Sequence, residues 1–244
     1  TLLKIIFSNN VIYMYKKILK KMISNFIRPI FNKIGLQITK YNQYPNDFST
    51  SDKKIWENVK PFTMTSPESI KVLIDAVKYV IDNKVEGVFV ECGIWKGGSA
   101  MAMILALKEL GVVNKDIYLY DTFSGMVAPS DIDVSNQWGS AKKIFSLRKI
   151  TNNTSTWCLA PLNEVKKNLA TTLYPDTNIH LIKGDVEKTI PAILPKKISL
   201  LRLDTDWYKS TKHELKHLFP LLSKNAVLID LNINRNINDY SYKV

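Results

Sequence analysis

Residues 87–99 read Gly87-Val88-Phe89-Val90-Glu91-Cys92-Gly93-Ile94-Trp95-Lys96-Gly97-Gly98-Ser99. Gly87 to Glu91 is an apolar run closed by an acid, without alternation, which is how a parallel strand buried on both faces reads. Glycines at 93, 97 and 98 then mark a turn. From Ser99 to Leu110 an apolar helix follows, stopped by Gly111. A strand, a glycine-bearing turn and a helix make the opening unit of an open α/β sheet. Such sheets bind ligands in the crevice beyond the carboxyl ends of their strands.

Outward from this unit the alternation repeats. Asp116–Asp121, Asn178–Gly184, Ile198–Asp204 and Ala226–Asp230 read as further strands, with helices between them, including Ser210–Leu222. That order implies a parallel sheet with right-handed crossovers. On the amino-terminal side Ser66-Pro67-Glu68 starts a helix, with Ser66 as cap and Pro67 in the first turn. Its buried stripe is Ile70, Leu73, Ile74, Val77 and Val80, and the pattern ends near Asn83. Tyr41 to Lys54, polar and carrying Pro45, Asn46 and Asp47, reads as a linker. Pro129 to Thr172, with Trp138, Phe145 and Trp157, reads as a helical insertion with loops over the sheet edge, a region suited to substrate contacts. The fold class expected is α/β, a Rossmann-like sheet with helices on both faces.

The chain of 244 residues, 45% hydrophobic and 23% charged, has the makeup of one globular domain with an appendage. Cys92 and Cys158 lack metal-ligand spacing, which argues against a zinc site or a disulfide scaffold and fits a reducing compartment. The formal net charge of +12 is concentrated at the amino terminus. No acid precedes Asp47, whereas Lys16, Lys17, Lys20, Lys21, Arg28, Lys33 and Lys40 all do. From Met14, the expected natural start, Tyr15, Ile18, Leu19, Met22, Ile23, Phe26 and Ile27 recur at helical spacing until Pro29. Lysines fill the opposite face. Such a basic amphipathic arm reads as a membrane-surface element or as a packing arm. No basic stripe interleaved with aromatics recurs later, so nucleic acid is not an expected partner. No apolar stretch is long enough to span a bilayer, and no small-residue cleavage site follows Leu2–Phe7. The expected divisions are an arm over 1–45, a main domain over 46–230 and an atypical polar tail over 231–244. Cytoplasmic residence is expected, with peripheral contact at the inner membrane face through residues 14–40; a homo-oligomer is compatible with the pattern.

Four motifs carry chemistry. In the turn Glu91–Ser99 the glycines at 93, 97 and 98 do not fit GxGxxG, which lowers a dinucleotide reading. They fit the acidic-x-Gly-x-x-x-Gly turn used for S-adenosylmethionine, whose methionine end needs close backbone contact at Gly93, Trp95, Gly97, Gly98 and Ser99; the plainer alternative is a tight structural turn. Asp121, at the end of the second strand, can accept both ribose hydroxyls or simply cap the next turn with Thr122 and Ser124. Asp185, in Lys183-Gly184-Asp185-Val186, can accept the adenine amino group or cap a helix. Asp204 and Asp230 end neighbouring strands, with Asp206 close by. Such carboxylates make an oxygen site for Mg²⁺, which orients substrate oxygens and lowers a hydroxyl pKa; otherwise they are capping aspartates. His213 and His217 share a helix face without a metal signature.

Together these residues resemble the macrocin O-methyltransferase family, sugar O-methyltransferases of macrolide biosynthesis with relatives in polysaccharide clusters. The resemblance runs from about Phe62 to Asp230. It rests on Phe62-Thr63-Met64, the turn from Glu91 to Gly98, Asp121-Thr122-Phe123-Ser124-Gly125, and Leu201-Arg202-Leu203-Asp204-Thr205-Asp206-Trp207-Tyr208-Lys209-Ser210-Thr211. It implies a class I methyltransferase fold that uses S-adenosylmethionine and Mg²⁺. Thr63 and Met64 would line the cofactor pocket, Glu91, Gly93 and Asp121 would contact the cofactor, and Asp204 and Asp230 would bind metal. The expected reaction is in-line transfer of the sulfonium methyl to a hydroxyl of a small-molecule or glycan acceptor, with Asp204 or Asp206 as base. The chain departs from the family at Leu231, where a second aspartate is expected, and the asparagine-rich stretch from Asn232 to Asp239 reads as a truncated or frame-shifted carboxyl-terminal end. The rival readings are an NAD-type oxidoreductase and an inactive or truncated methyltransferase-like module acting through its arm.

Overall fold

The computed structural model describes residues 44–135, 139–152 and 154–231. The amino-terminal arm, Trp138 and the tail from Asn232 lie outside these. Five strands form one parallel sheet: β1 (Val88–Cys92), β2 (Ile117–Asp121), β3 (Ile179–Lys183), β4 (Ile198–Leu203) and β5 (Leu222–Asp230). Their spatial order is β3-β2-β1-β4-β5, so the chain starts in the middle, builds to one side and then crosses to the other. All five strands are where the apolar runs put them, apart from small differences at their ends and an earlier start to β5.

Side chains alternate across β1. Phe89 joins the core under one set of helices, and Val90 and Cys92 join the core under the other. The first face is covered by α1 (Thr50–Val59), α2 (Pro67–Asp82), α3 (Gly98–Glu109) and, after α4 (Ala141–Arg148), α5 (Leu162–Ala170). The second is covered by α6 (Val186–Thr189) and α7 (Tyr208–Leu218). Helices thus lie on both faces, as expected.

Helix α2 follows its sequence closely. The Ser66 hydroxyl accepts from the Ser69 amide at 3.2 Å, and Ile70, Leu73, Ile74, Val77 and Val80 are buried to 1% exposure or less. Each such side chain contributes about 1.5–3 kcal/mol. The linker reading of Tyr41–Lys54 is overturned from Thr50 onward. Ser49 and Asp52 form a reciprocal capping box, and the buried Asp52 accepts from Lys78 of α2 at 2.9 Å. Polar residues therefore start α1 instead of extending a loop.

The insertion contains α4, α5 and two short antiparallel ribbons, Val134–Ser135 with Gly139–Ser140 and Lys149–Thr151 with Thr154–Ser155. Among the described residues, no helix is long and apolar enough to cross a membrane.

Candidate functional site

A cleft of about 1240 Å³ opens over the carboxyl ends of the strands. It is lined by Gly93 after β1, Thr122 after β2, Gly184 and Asp185 after β3, Asp204 after β4, and Leu231 after β5. A smaller depression at the opposite end of the sheet, lined by Lys84, Lys196, Lys197 and Lys224, contains none of the motif residues.

The glycine turn lets protein backbone approach as closely as a ligand would. Gly93 has φ +80°, and a Cβ there would lie 2.3 Å from the Asp204 carbonyl oxygen. A Cβ on Gly98 would lie 2.6 Å from the carbonyl oxygen of Phe62. The loop after β4 and the Phe62–Thr63 segment thus close directly on the turn. Gly93, Trp95 and Ser99 line the cleft beside Thr63 and Met64, whereas Glu91, Gly97 and Gly98 do not.

Asp121 lines the cleft and also fastens the turn. Its Oδ2 accepts from the amides of Ile94 at 2.9 Å and Trp95 at 3.1 Å, and its Oδ1 accepts from the Phe123 amide at 2.8 Å. Trp95 and Phe123 have left-handed φ values of +46° and +51°, which these bonds help to hold. Burial pushes the Asp121 carboxyl up, and the three amides pull it part of the way back. Asp185 lines the cleft as well, and its Oδ1 caps α6 by accepting from the Glu187 amide at 3.1 Å.

The acidic residues gather beyond β4. Leu203 is registered with Asp230, so Asp204 and Asp230 lie at the ends of adjacent strands. Asp204 and Asp206 line the cleft; Asp230 does not, and Leu231 does. Asp206 has φ +71°, a turn conformation uncommon outside glycine. Glu214 of α7 is fully buried, with Oε2 accepting from the Thr205 hydroxyl at 3.1 Å and Oε1 without a hydrogen-bond partner. Burial raises its carboxyl to about 8, against the pull of Thr205 and with a further push from Asp230 and Asp204. Among the described residues, no three His, Cys, Asp or Glu side chains are grouped to hold a metal ion. Cys158 also lines the cleft, and its thiol is pushed up to about 11 by burial and by Asp206, Asp121 and Asp204.

The outer half of the cleft belongs to the insertion and the start of α7. Trp157 and Trp207 meet edge to face with ring centroids 5.5 Å apart, and the Trp207 indole N–H donates to the Val127 carbonyl at 3.1 Å. Ile132, Ile144 and Arg148 complete this wall.

Sequence reasoning passed over Thr65, Arg202, Glu214 and the tryptophan pair as site residues. Arg202 offered a signal, as a lone cation in the apolar run of β4. Glu214 offered one too, since it shares the buried face of α7 with Ser210, Thr211 and Leu218.

A parallel sheet in this order, with a cleft over its carboxyl ends and a glycine turn after the central strand, has the architecture of a class I methyltransferase. The calicheamicin methyltransferase CalS11 shares the fold, at TM-score 0.52 and 17% identity over 82% of this chain and 86% of that one. The chain belongs to the Macrocin-O-methyltransferase (TylF) family, whose model matches residues 2–240 and so reaches beyond the motifs on both sides. It is 25% identical, over 93% of its own length and 80% of the other, to the 8-demethyl-8-(2,3-dimethoxy-alpha-L-rhamnosyl)-tetracenomycin-C 4'-O-methyltransferase of Streptomyces olivaceus. It is 26% identical to the demethyldecarbamoylnovobiocin O-methyltransferase of Streptomyces niveus, over 68% of this chain and 60% of that one. The solved structure of the O-methyltransferase NovP is similar at TM-score 0.58 and 26% identity, over 69% of this chain and 66% of that one. Membership in this family makes the chain a methyltransferase and removes the oxidoreductase alternative.

Proposed function

We propose that the chain transfers the methyl group of S-adenosylmethionine to a sugar hydroxyl of a glycoside or polysaccharide precursor. The observation that carries this reading is the meeting, in one cleft, of the glycine turn after β1 with the carboxylates of Asp204 and Asp206. At about 1240 Å³ the cleft exceeds what one small ligand needs, so cofactor and acceptor fit side by side. The Streptomyces olivaceus relative, by its name, methylates a rhamnosyl oxygen, which supports a sugar acceptor.

S-adenosylmethionine supplies an activated methyl group on sulfonium. Thr63, Met64, Gly93, Trp95, Ser99, Asp121 and Asp185 would hold it, and the Asp121 bonds to Ile94 and Trp95 keep the seat in shape. Glu91, Gly97 and Gly98 support that seat from behind. Trp157 and Trp207 exclude water and offer an apolar face to a sugar ring. Asp206, with Asp204 beside it, takes the proton from the acceptor hydroxyl. Rate enhancement comes chiefly from alignment of the two reactants. Asp204 and Asp230 are the pair that would hold a Mg²⁺ ion. With Leu231 in the third place and no set of three ligands among the described residues, these two carboxylates do not make a complete seat for the ion.

The basic residues 14–40 support a peripheral contact with an acidic membrane surface. Both cysteines are free thiols, which supports a cytoplasmic setting. The division into an arm over 1–45, a catalytic domain over 46–230 and a tail over 231–244 belongs to the same proposal.

Calorimetric titration of S-adenosylhomocysteine into the wild type and Asp121→Ala tests the reading. Saturable binding, weakened at least about tenfold in the variant, is the expected result. A folded wild type that takes up no S-adenosylhomocysteine would overturn the proposal in favour of an inactive methyltransferase-like module.

A further inference from the structure

The buried Arg202 of β4 ties together groups from four separate parts of the chain. The sheet register sets Glu91 of β1 directly beside Arg202, so both side chains fall on the face under α2 and α3. Arg202 is 1% exposed and Glu91 is fully buried. Nη1 of Arg202 and the Ser99 hydroxyl at the start of α3 both donate to Oε1 of Glu91. Nη2 donates twice more, to the Thr65 hydroxyl at 3.0 Å and to Oδ2 of Asp204 at 2.9 Å. A guanidinium stays protonated in a folded protein whatever its surroundings. The group is therefore a fixed cation with a rigid fork of donors.

Thr65 continues the Thr63–Met64 segment, which lines the cofactor half of the cleft. Asp204 lines the same cleft, and in the function proposed above it lies beside the base that takes the acceptor's proton. One nitrogen of Arg202 is shared between them. From this geometry we infer that Arg202 is a positioning residue that couples the seat of the cofactor to the orientation of Asp204. A displacement of Thr65 on filling the cleft is felt at Asp204 through Nη2, and Glu91 keeps the guanidinium from following either partner. The inference rests on the functional reading given above.

The test is a double-mutant cycle read in S-adenosylhomocysteine affinity by calorimetry. Wild type, Thr65→Val, Asp204→Asn and the double variant form the cycle, repeated in an Arg202→Lys background. Thr65→Val removes the hydroxyl acceptor and Asp204→Asn removes the carboxylate charge, each at nearly constant volume. If Arg202 couples them, the loss in the double variant differs from the product of the single losses by at least about threefold. In the Arg202→Lys background, where the planar fork is gone, the discrepancy disappears. Should Arg202→Lys not fold, Glu91→Gln with Arg202→Met removes both opposed charges and serves the same comparison. Losses that multiply within about twofold, or a discrepancy that survives removal of Arg202, overturn the coupling. A wild type that does not bind S-adenosylhomocysteine overturns the functional reading, and this inference with it.

Discussion

Glu214→Gln gives the sharpest test of the electrostatics around the cleft. The folded protein holds the Glu214 carboxyl at about 8, against an ordinary 4.5, chiefly because α7 buries it beside Asp230 and Asp204. A carboxyl raised on folding binds its proton more tightly in the folded chain than in the unfolded one. Stability from this group is therefore complete at low pH and falls as pH rises from 4.5 through 8, where the unfolded chain ionises and the folded chain resists. The full difference is worth about 5 kcal/mol as an upper bound. Glutamine keeps the shape and an oxygen for the Thr205 hydroxyl but cannot ionise. In a chain of this size about 5 kcal/mol corresponds to roughly 10–20 °C in melting temperature. Thermal unfolding of both proteins in a chelator, at steps from pH 5 to pH 9, isolates the effect, because every other titrating group is common to the two. The curves should nearly coincide at pH 5, with the glutamine variant rising above the wild type by at least about 5 °C at pH 9. Melting temperatures that run parallel across the range would refute the placement of Glu214 as a buried, proton-holding acid.

Further predictions rest on single contacts. Gly93→Ala forces a side chain into a left-handed position and a Cβ to 2.3 Å from the Asp204 carbonyl. It should cost about 2–4 kcal/mol in urea unfolding, and an unchanged midpoint would contradict the close approach. Burial and the neighbouring carboxylates raise the Cys158 thiol to about 11, and burial raises the Cys92 thiol well above its usual value. Native protein at pH 8 should therefore react with a thiol-specific disulfide reagent far more slowly than denatured protein; fast labelling of Cys158 without denaturant would show that the cleft is more polar and open than described.

The sheet was legible because its evidence is local. Five apolar runs, separated by helical patterns, each carry their strand assignment in a handful of consecutive residues, and Ser66-Pro67 announces α2 in two. The missed start of α1 shows the limit of composition: Ser49 and Asp52 look like loop residues until Lys78, far along the chain, supplies the buried partner that makes Asp52 structural. The glycine turn was legible as a place of close approach, but not as to what approaches. Gly93 meets the backbone of Asp204 and Gly98 meets that of Phe62, contacts between segments whose proximity only the closed fold creates. Arg202 is the strongest case. A lone arginine in an apolar strand signals that a partner must exist, because an unpaired buried cation is too costly to persist. Which partner it has depends on the β1–β4 register, and the register follows from packing across the whole sheet. Motif reading therefore reached residues that line the cleft, among them Gly93, Asp121, Asp185 and Asp204, together with Glu91, Gly97, Gly98 and Asp230, which do not line it. It passed over Arg202, Thr65 and Glu214, whose roles come into being only when distant strands and helices set their side chains against one another.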